Sequence, residues 1–98
     1  MCSMKATPIQ RIKRLHDAGI VEINIWRVPA PVAPCEHHYK YRLVYVVNNV
    51  RVVGYDNERG KGDHRHLGSI ESPYQFVNIS TFLVDFWHDV ERDRDHET

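Results

Sequence analysis

The twelve residues from Tyr55 to His66 read Tyr-Asp-Asn-Glu-Arg-Gly-Lys-Gly-Asp-His-Arg-His, and nine of those side chains ionise, Tyr55 included. His64 and His66 alternate, so on an extended strand they project to one face while Arg65 points to the other. Imidazole exchanges protons near neutral pH and can serve as base and acid in turn. Acid–base cleavage of RNA requires a base for the 2′-hydroxyl, an acid for the leaving oxygen and cations around the phosphorane. This stretch offers all three. His64 and His66 are the candidate proton-transfer pair. Lys40, Arg42, Arg59, Lys61 and Arg65 are candidate phosphate contacts. Tyr55 could stack a base or position a phosphate, with Asp56 and Glu58 shaping or assisting the site.

Two other chemistries fit the same residues. His64 and His66 have a spacing seen among metal ligands, and Asp56, Glu58, Asp63 or the pair His37–His38 could complete a shell. Alternatively, Asp56 and Asp63 could pair with Arg59, Arg65 or Lys40 and simply hold a glycine-rich hairpin loop together, although exposed pairs contribute little. A non-enzymatic module that blocks a cellular target could use the same surface. The sequence carries no phosphate-binding glycine loop, nucleophile elbow, paired cysteine ligands or helix-turn-helix. The leading reading needs no cofactor and no metal, and a metal-dependent nuclease is the alternative alongside the blocking module.

The chain has 98 residues, 42% of them hydrophobic and 27% charged, which suits one small globular domain over 1–98 and excludes a disordered chain. A core of this size is limited, and a homodimer would be a source of extra stability. Met1 to Lys13 holds no apolar run of signal-peptide length, and no segment approaches the roughly 20 apolar residues of a membrane span. Cys2 and Cys35 lack zinc-type spacing and read as free thiols. Together these predict a cytoplasmic protein without a membrane partner. The zero net charge is unevenly spread. Six basic residues against three acids lie between Lys40 and His66, and six acids against Arg92 and Arg94 lie from Asp85 onward. A basic middle favours phosphate-bearing partners such as RNA.

The elements that must position these residues are those of an α+β fold. Thr7 as cap and Pro8 at the first helical position, with Ile9, Ile12 and Leu15 on one side and Gly19 as stop, predict a short N-terminal helix or arm over 1–19. An antiparallel meander of about four strands follows over 20–78. Ile20–Val28 alternates, Pro29, Pro31 and Pro34 break the pattern, and Tyr39–Val47 and Val50–Asn57 flank a two-residue turn at Asn48-Asn49. With that turn Tyr45 faces Val52, Arg42 faces Tyr55 and Lys40 faces Asn57. A fourth short strand is expected at His64–Leu67 and an extended piece at Tyr74–Val77. Ile79, Phe82, Leu83, Phe86, Trp87 and Val90 then recur at helical spacing, predicting an amphipathic C-terminal helix over 79–94 capped by Asn78 or Ser80. His16, His88 and His96 fall on predicted helix surfaces.

The runs Lys40-Tyr41-Arg42-Leu43, Val53-Gly54-Tyr55-Asp56-Asn57-Glu58 and Lys61-Gly62-Asp63-His64-Arg65-His66 resemble the TumE-like family of bacterial toxin–antitoxin toxins. Ile25-Trp26-Arg27-Val28-Pro29, Tyr74-Gln75-Phe76 and Leu83-Val84-Asp85-Phe86 are similar to that family as well. The resemblance spans Val21 to Val90. It implies a small toxin silenced by a cognate helix-turn-helix antitoxin, and it carries no catalytic assignment. The endoribonuclease reading rests on the residue chemistry above.

Overall fold

Two-residue periodicity governs most of the chain. In the computed structural model, which describes residues 6–96 and their side chains as far as Arg92, six strands form one antiparallel meander in sequence order. They are β1 (Thr7–His16), β2 (Gly19–Arg27), β3 (Tyr39–Val47), β4 (Val50–Glu58), β5 (Gly62–Leu67) and β6 (Ile70–Pro73), followed by helix α1 (Ile79–His96). Cys2 lies outside the described residues.

One sheet face is apolar because the alternating residues of three strands point the same way. Val21, Ile23 and Ile25 of β2, Tyr41, Leu43, Tyr45 and Val47 of β3, and Val53 and Tyr55 of β4 are buried there. Helix α1 closes this face with Phe82, Phe86 and Val90, which repeat every four residues and are fully buried. Asn78 Oδ1 caps the helix by accepting the Thr81 N–H at 2.8 Å. The opposite face of the sheet exposes side chains such as Arg11, Lys13 and Arg42, while Val44 is buried on it.

The N-terminal segment is a strand, not the expected helix. Thr7 to His16 pairs along β2 from Thr7↔Arg27 to His16↔Gly19, with a bulge between Pro8 and Gln10. Gly19 is not a helix stop. It sits where a Cβ would lie 2.5 Å from the Val46 carbonyl oxygen and 2.7 Å from the Tyr45 ring, so only glycine lets β2 approach β3 at that point. His16 is accordingly a strand residue, half-buried with its ring 5.2 Å from that of Trp87. The sheet has six strands rather than four because β1 joins it and because β6 precedes the Tyr74–Val77 stretch, which is irregular.

Asn48 and Asn49 take φ of 52° and 63°, as a two-residue hairpin turn requires, and Val47 faces Val50. Two residues later the register slips. Val46 pairs with Arg51 but Tyr45 pairs with Val53, leaving Val52 as an extra residue in a bulge. Arg42 therefore faces Asp56 instead of Tyr55, and Leu43 faces Tyr55. The slip exchanges the two faces of β4 beyond the bulge. Tyr55 enters the core, and Asp56 joins Arg42 on the open face.

Asn57 is carried inward by the same slip and is buried. Its side chain accepts the Tyr41 N–H at 3.0 Å and donates to the Tyr39 carbonyl at 2.7 Å, replacing ladder bonds at the end of β3. Asn57→Ala should lower stability by about 1–3 kcal/mol, the cost of leaving buried backbone groups unpaired. Equilibrium urea unfolding of the two proteins measures it.

Candidate functional site

The register fixes what the open face displays. One row across the sheet runs Arg11, Asn24, Arg42, Asp56, His64, and the next runs Lys13, Glu22, Val44, Gly54, His66, Glu71. Trp26 and Lys40 are paired at the end of the face nearest the β4–β5 turn. The Arg51 side chain lies over Gly54, where a Cβ would stand 2.9 Å from its Cδ, and so extends over the strand beside His66.

His64 and His66 share this face because they alternate on β5. Their ring centroids are 6.5 Å apart and the rings are inclined by 32°. Each has a carboxylate of its own. Glu71 Oε2 lies 3.0 Å from His64 Nδ1, off the hydrogen-bonding direction, and Asp56 Oδ1 lies 3.7 Å from His66 Nε2. His64 Nε2 is 3.0 Å from the Lys61 carbonyl oxygen, which orients the ring. The two side chains are 16% and 14% exposed, and His64 Nδ1 is itself buried.

The other sequence candidates divide between the faces. Lys40 Nζ donates to the Asn57 carbonyl at 2.7 Å, and Arg42 is exposed beside Asp56. Glu58, Arg59 and Lys61 are exposed at the end of β4 and in the turn to β5. Tyr55 and Arg65 lie on the helix side. The Tyr55 hydroxyl donates to Asp89 Oδ2, and the Arg65 guanidinium donates to both Asp89 oxygens at 2.9 and 2.6 Å. Tyr55 is 1% exposed and cannot stack a base from solvent. The Asp89 carboxylate, itself buried, holds β4, β5 and α1 together through this pair.

Trp26 was not anticipated as a site residue, and neither were Arg51 and Glu71. Trp26 lines a cleft of ≈ 390 Å³ with Asn24, Lys40, Arg42, Asp56 and Glu58. An aromatic face beside two cations is the composition that binds a nucleotide by stacking and phosphate contact. Its signal in the sequence was the even-numbered position on β2, opposite in face to Val21, Ile23 and Ile25.

A second cluster lies on the helix side, around Asp63. Asp63 Oδ1 accepts from the Tyr41 hydroxyl and lies 2.8 Å from His37 Nε2, while His37 Nδ1 accepts the Tyr39 N–H at 3.2 Å. The His37 ring lies 4.1 Å from that of Phe76. Cys35 is a buried free thiol whose Sγ is 3.8 Å from Asn57 Nδ2, and burial followed by the Asp63 charge pushes its pKa up. His37 and His64 are thus on opposite sides of the sheet, and no metal shell can join them.

The buried phenols have a consequence for alkaline stability. Burial and then a carboxylate neighbour raise the pKa of Tyr41, Tyr55 and Tyr74 above the ordinary 10. A raised folded-state pKa means that the unfolded chain releases these protons first. The contribution is full below pH 10 and is lost as pH rises toward the folded-state values, so the midpoint of thermal unfolding should fall steeply above about pH 10.

The family model described as Toxin TumE matches residues 5–94. The chain belongs to the TumE toxin family. The match runs from just before β1 into α1, so it covers the whole sheet, both side-chain clusters and most of the helix. No curated protein and no solved structure matches the chain. Membership in a TumE toxin family implies a cognate antitoxin as partner. Among the described residues no helix is long and apolar enough to cross a membrane.

Proposed function

We propose that this TumE-family toxin is a small endoribonuclease that cleaves RNA by acid–base chemistry on the open face of its sheet. One observation carries the reading. Two imidazoles, each beside its own carboxylate, stand 6.5 Å apart on the sheet face that also displays Lys40, Arg42 and Arg51. In-line attack places the 2′-oxygen and the departing 5′-oxygen on opposite sides of phosphorus, so the reaction needs two proton-transfer groups that flank one phosphate. The 6.5 Å between the rings of His64 and His66 supports assigning them those two roles. One imidazole removes the 2′-hydroxyl proton as the oxygen attacks phosphorus. The other protonates the 5′-oxygen as the P–O bond breaks, giving a 2′,3′-cyclic phosphate and a 5′-hydroxyl. Glu71 and Asp56 stand beside the two rings as carboxylate neighbours. Arg42, Arg51 and Lys61 offset the phosphorane charge, and Trp26 stacks a neighbouring base. Tyr55 and Arg65 take no direct part and support β4 and β5 from behind. The cognate antitoxin, a helix-turn-helix protein in this reading, would silence the toxin by covering this face.

The test is incubation of the purified chain with a long single-stranded RNA, with and without a chelator. Cleavage that persists in chelator and vanishes in folded His64→Ala and His66→Ala proteins supports the proposal. Growth inhibition that survives both substitutions at low expression overturns it.

A further inference from the structure

We propose that Cys35, His37 and Asp63 bind one divalent transition-metal ion of the zinc class, on the side of the sheet away from His64 and His66, and that the ion clips the 28–38 loop to β5. One ligand atom from each of the three residues lies within 4.8 Å of the other two. Tetrahedral zinc, with bonds of about 2.0–2.3 Å to nitrogen, oxygen and sulfur, holds its ligand atoms roughly 3–4 Å apart. Only a small contraction separates the present arrangement from one triangular face of that polyhedron. A thiolate, an imidazole and a carboxylate form a borderline-soft set that suits zinc or cobalt(II) and not magnesium or calcium. Thiolate and carboxylate together also balance the charge of a dication.

The surroundings match what a metal shell requires. The Tyr41 hydroxyl bonds Asp63 and fixes its carboxylate, and the Asn57 amide points its N–H at Cys35 Sγ from 3.8 Å, a donor suited to a thiolate. A cleft of ≈ 720 Å³ borders all three residues and leaves room for water as a fourth ligand. The loop needs such a tether. It carries Pro29, Pro31 and Pro34, forms no strand, and is held otherwise by a few backbone bonds such as Gly60 N–H to the Ala33 carbonyl at 2.7 Å. Binding releases one proton to solvent, that of the Cys35 thiol, and shifts another within His37 away from Nε2, where it now faces Asp63. The displaced imidazole proton moves to Nδ1, and the ring must turn slightly from the Tyr39 N–H that it accepts at 3.2 Å.

The full-length untagged chain, stripped with chelator and titrated with cobalt(II), reads the proposal directly. One equivalent should produce the visible bands of a four-coordinate ion and a near-ultraviolet thiolate-to-cobalt band, and zinc should displace both and raise Tm. The thiolate band should survive Cys2→Ser and disappear in Cys35→Ser. His37→Ala should lose the visible bands, and Tyr41→Phe should weaken binding about 10–100-fold, as for other groups that orient a ligand. Circular dichroism confirms that each variant is folded. Absence of a thiolate band in the wild-type chain, or its retention in Cys35→Ser, overturns the proposal and leaves the cluster a hydrogen-bonded knot. The outcome is independent of RNA cleavage, since the His64–His66 pair shares no ligand with this cluster.

Discussion

Replacing His66 by alanine should slow RNA cleavage by about 10²–10⁴-fold, the usual cost of deleting one proton-transfer group. The fold should survive, because His66 lies on the face of the sheet opposite the helix-covered core. The same substitution should relieve growth inhibition across a wide range of expression levels, since even the smaller loss disables a toxin that acts by turnover. A toxin that merely blocks its target behaves differently. Most single contacts at an interface are worth about 1 kcal/mol or less, and a loss of that size is offset by making more protein. Titrating expression of the His66→Ala protein against growth separates the two. Inhibition restored by a modest rise in expression would mean that the open face binds without catalysing.

The second large effect is on stability. Phe86 is fully buried at the centre of the helix stripe, 5.9 Å from the Tyr55 ring and 5.7 Å from that of Trp87. Phe86→Ala should cost about 3–5 kcal/mol, combining lost transfer energy with the cavity left between α1 and β4. For a domain whose total stability is about 5–15 kcal/mol, that change leaves a substantial unfolded fraction at growth temperature. Val84 is on the exposed side of the same helix, and Val84→Ala should stay within about 0.5 kcal/mol. Urea unfolding of both variants measures the contrast. A loss below about 1 kcal/mol for Phe86→Ala would mean that the helix does not close the core.

The parts of the fold that were legible in the sequence are those where burial itself writes the pattern. Ile79, Phe82, Leu83, Phe86, Trp87 and Val90 of α1 recur with helical spacing because one stripe must meet the sheet, and of the helix's apolar residues only Val84 falls outside it. Tyr39–Val47 matched its predicted bounds because its inward residues are large and the Asn48-Asn49 turn ends it. β1 was misread because it is an edge strand with little to bury. Ile9 and Leu15 are exposed, so their spacing of three from Ile12 reports nothing about a helix. The bulge at Val52 had no visible cue in the run Val50-Arg51-Val52-Val53, where any register buries a valine. That one residue reassigned Tyr55 to the core and Asp56 to the histidine face. The Cys35–His37–Asp63 cluster was illegible for another reason: His37 and Asp63 are 26 residues apart, and only the meander brings them together.

The central claim is that His64 and His66 cleave RNA by transfer of protons through the 2′-hydroxyl, and the chemistry of the cut ends tests it most directly. The purified toxin, given a defined RNA in chelator, should leave 2′,3′-cyclic phosphate or 3′-phosphate on one fragment and a 5′-hydroxyl on the other. A substrate with a 2′-deoxy residue at the cleaved position should resist. Fragments bearing 5′-phosphate, cleavage of the deoxy substrate, or RNA left intact by the folded wild-type protein would contradict the account.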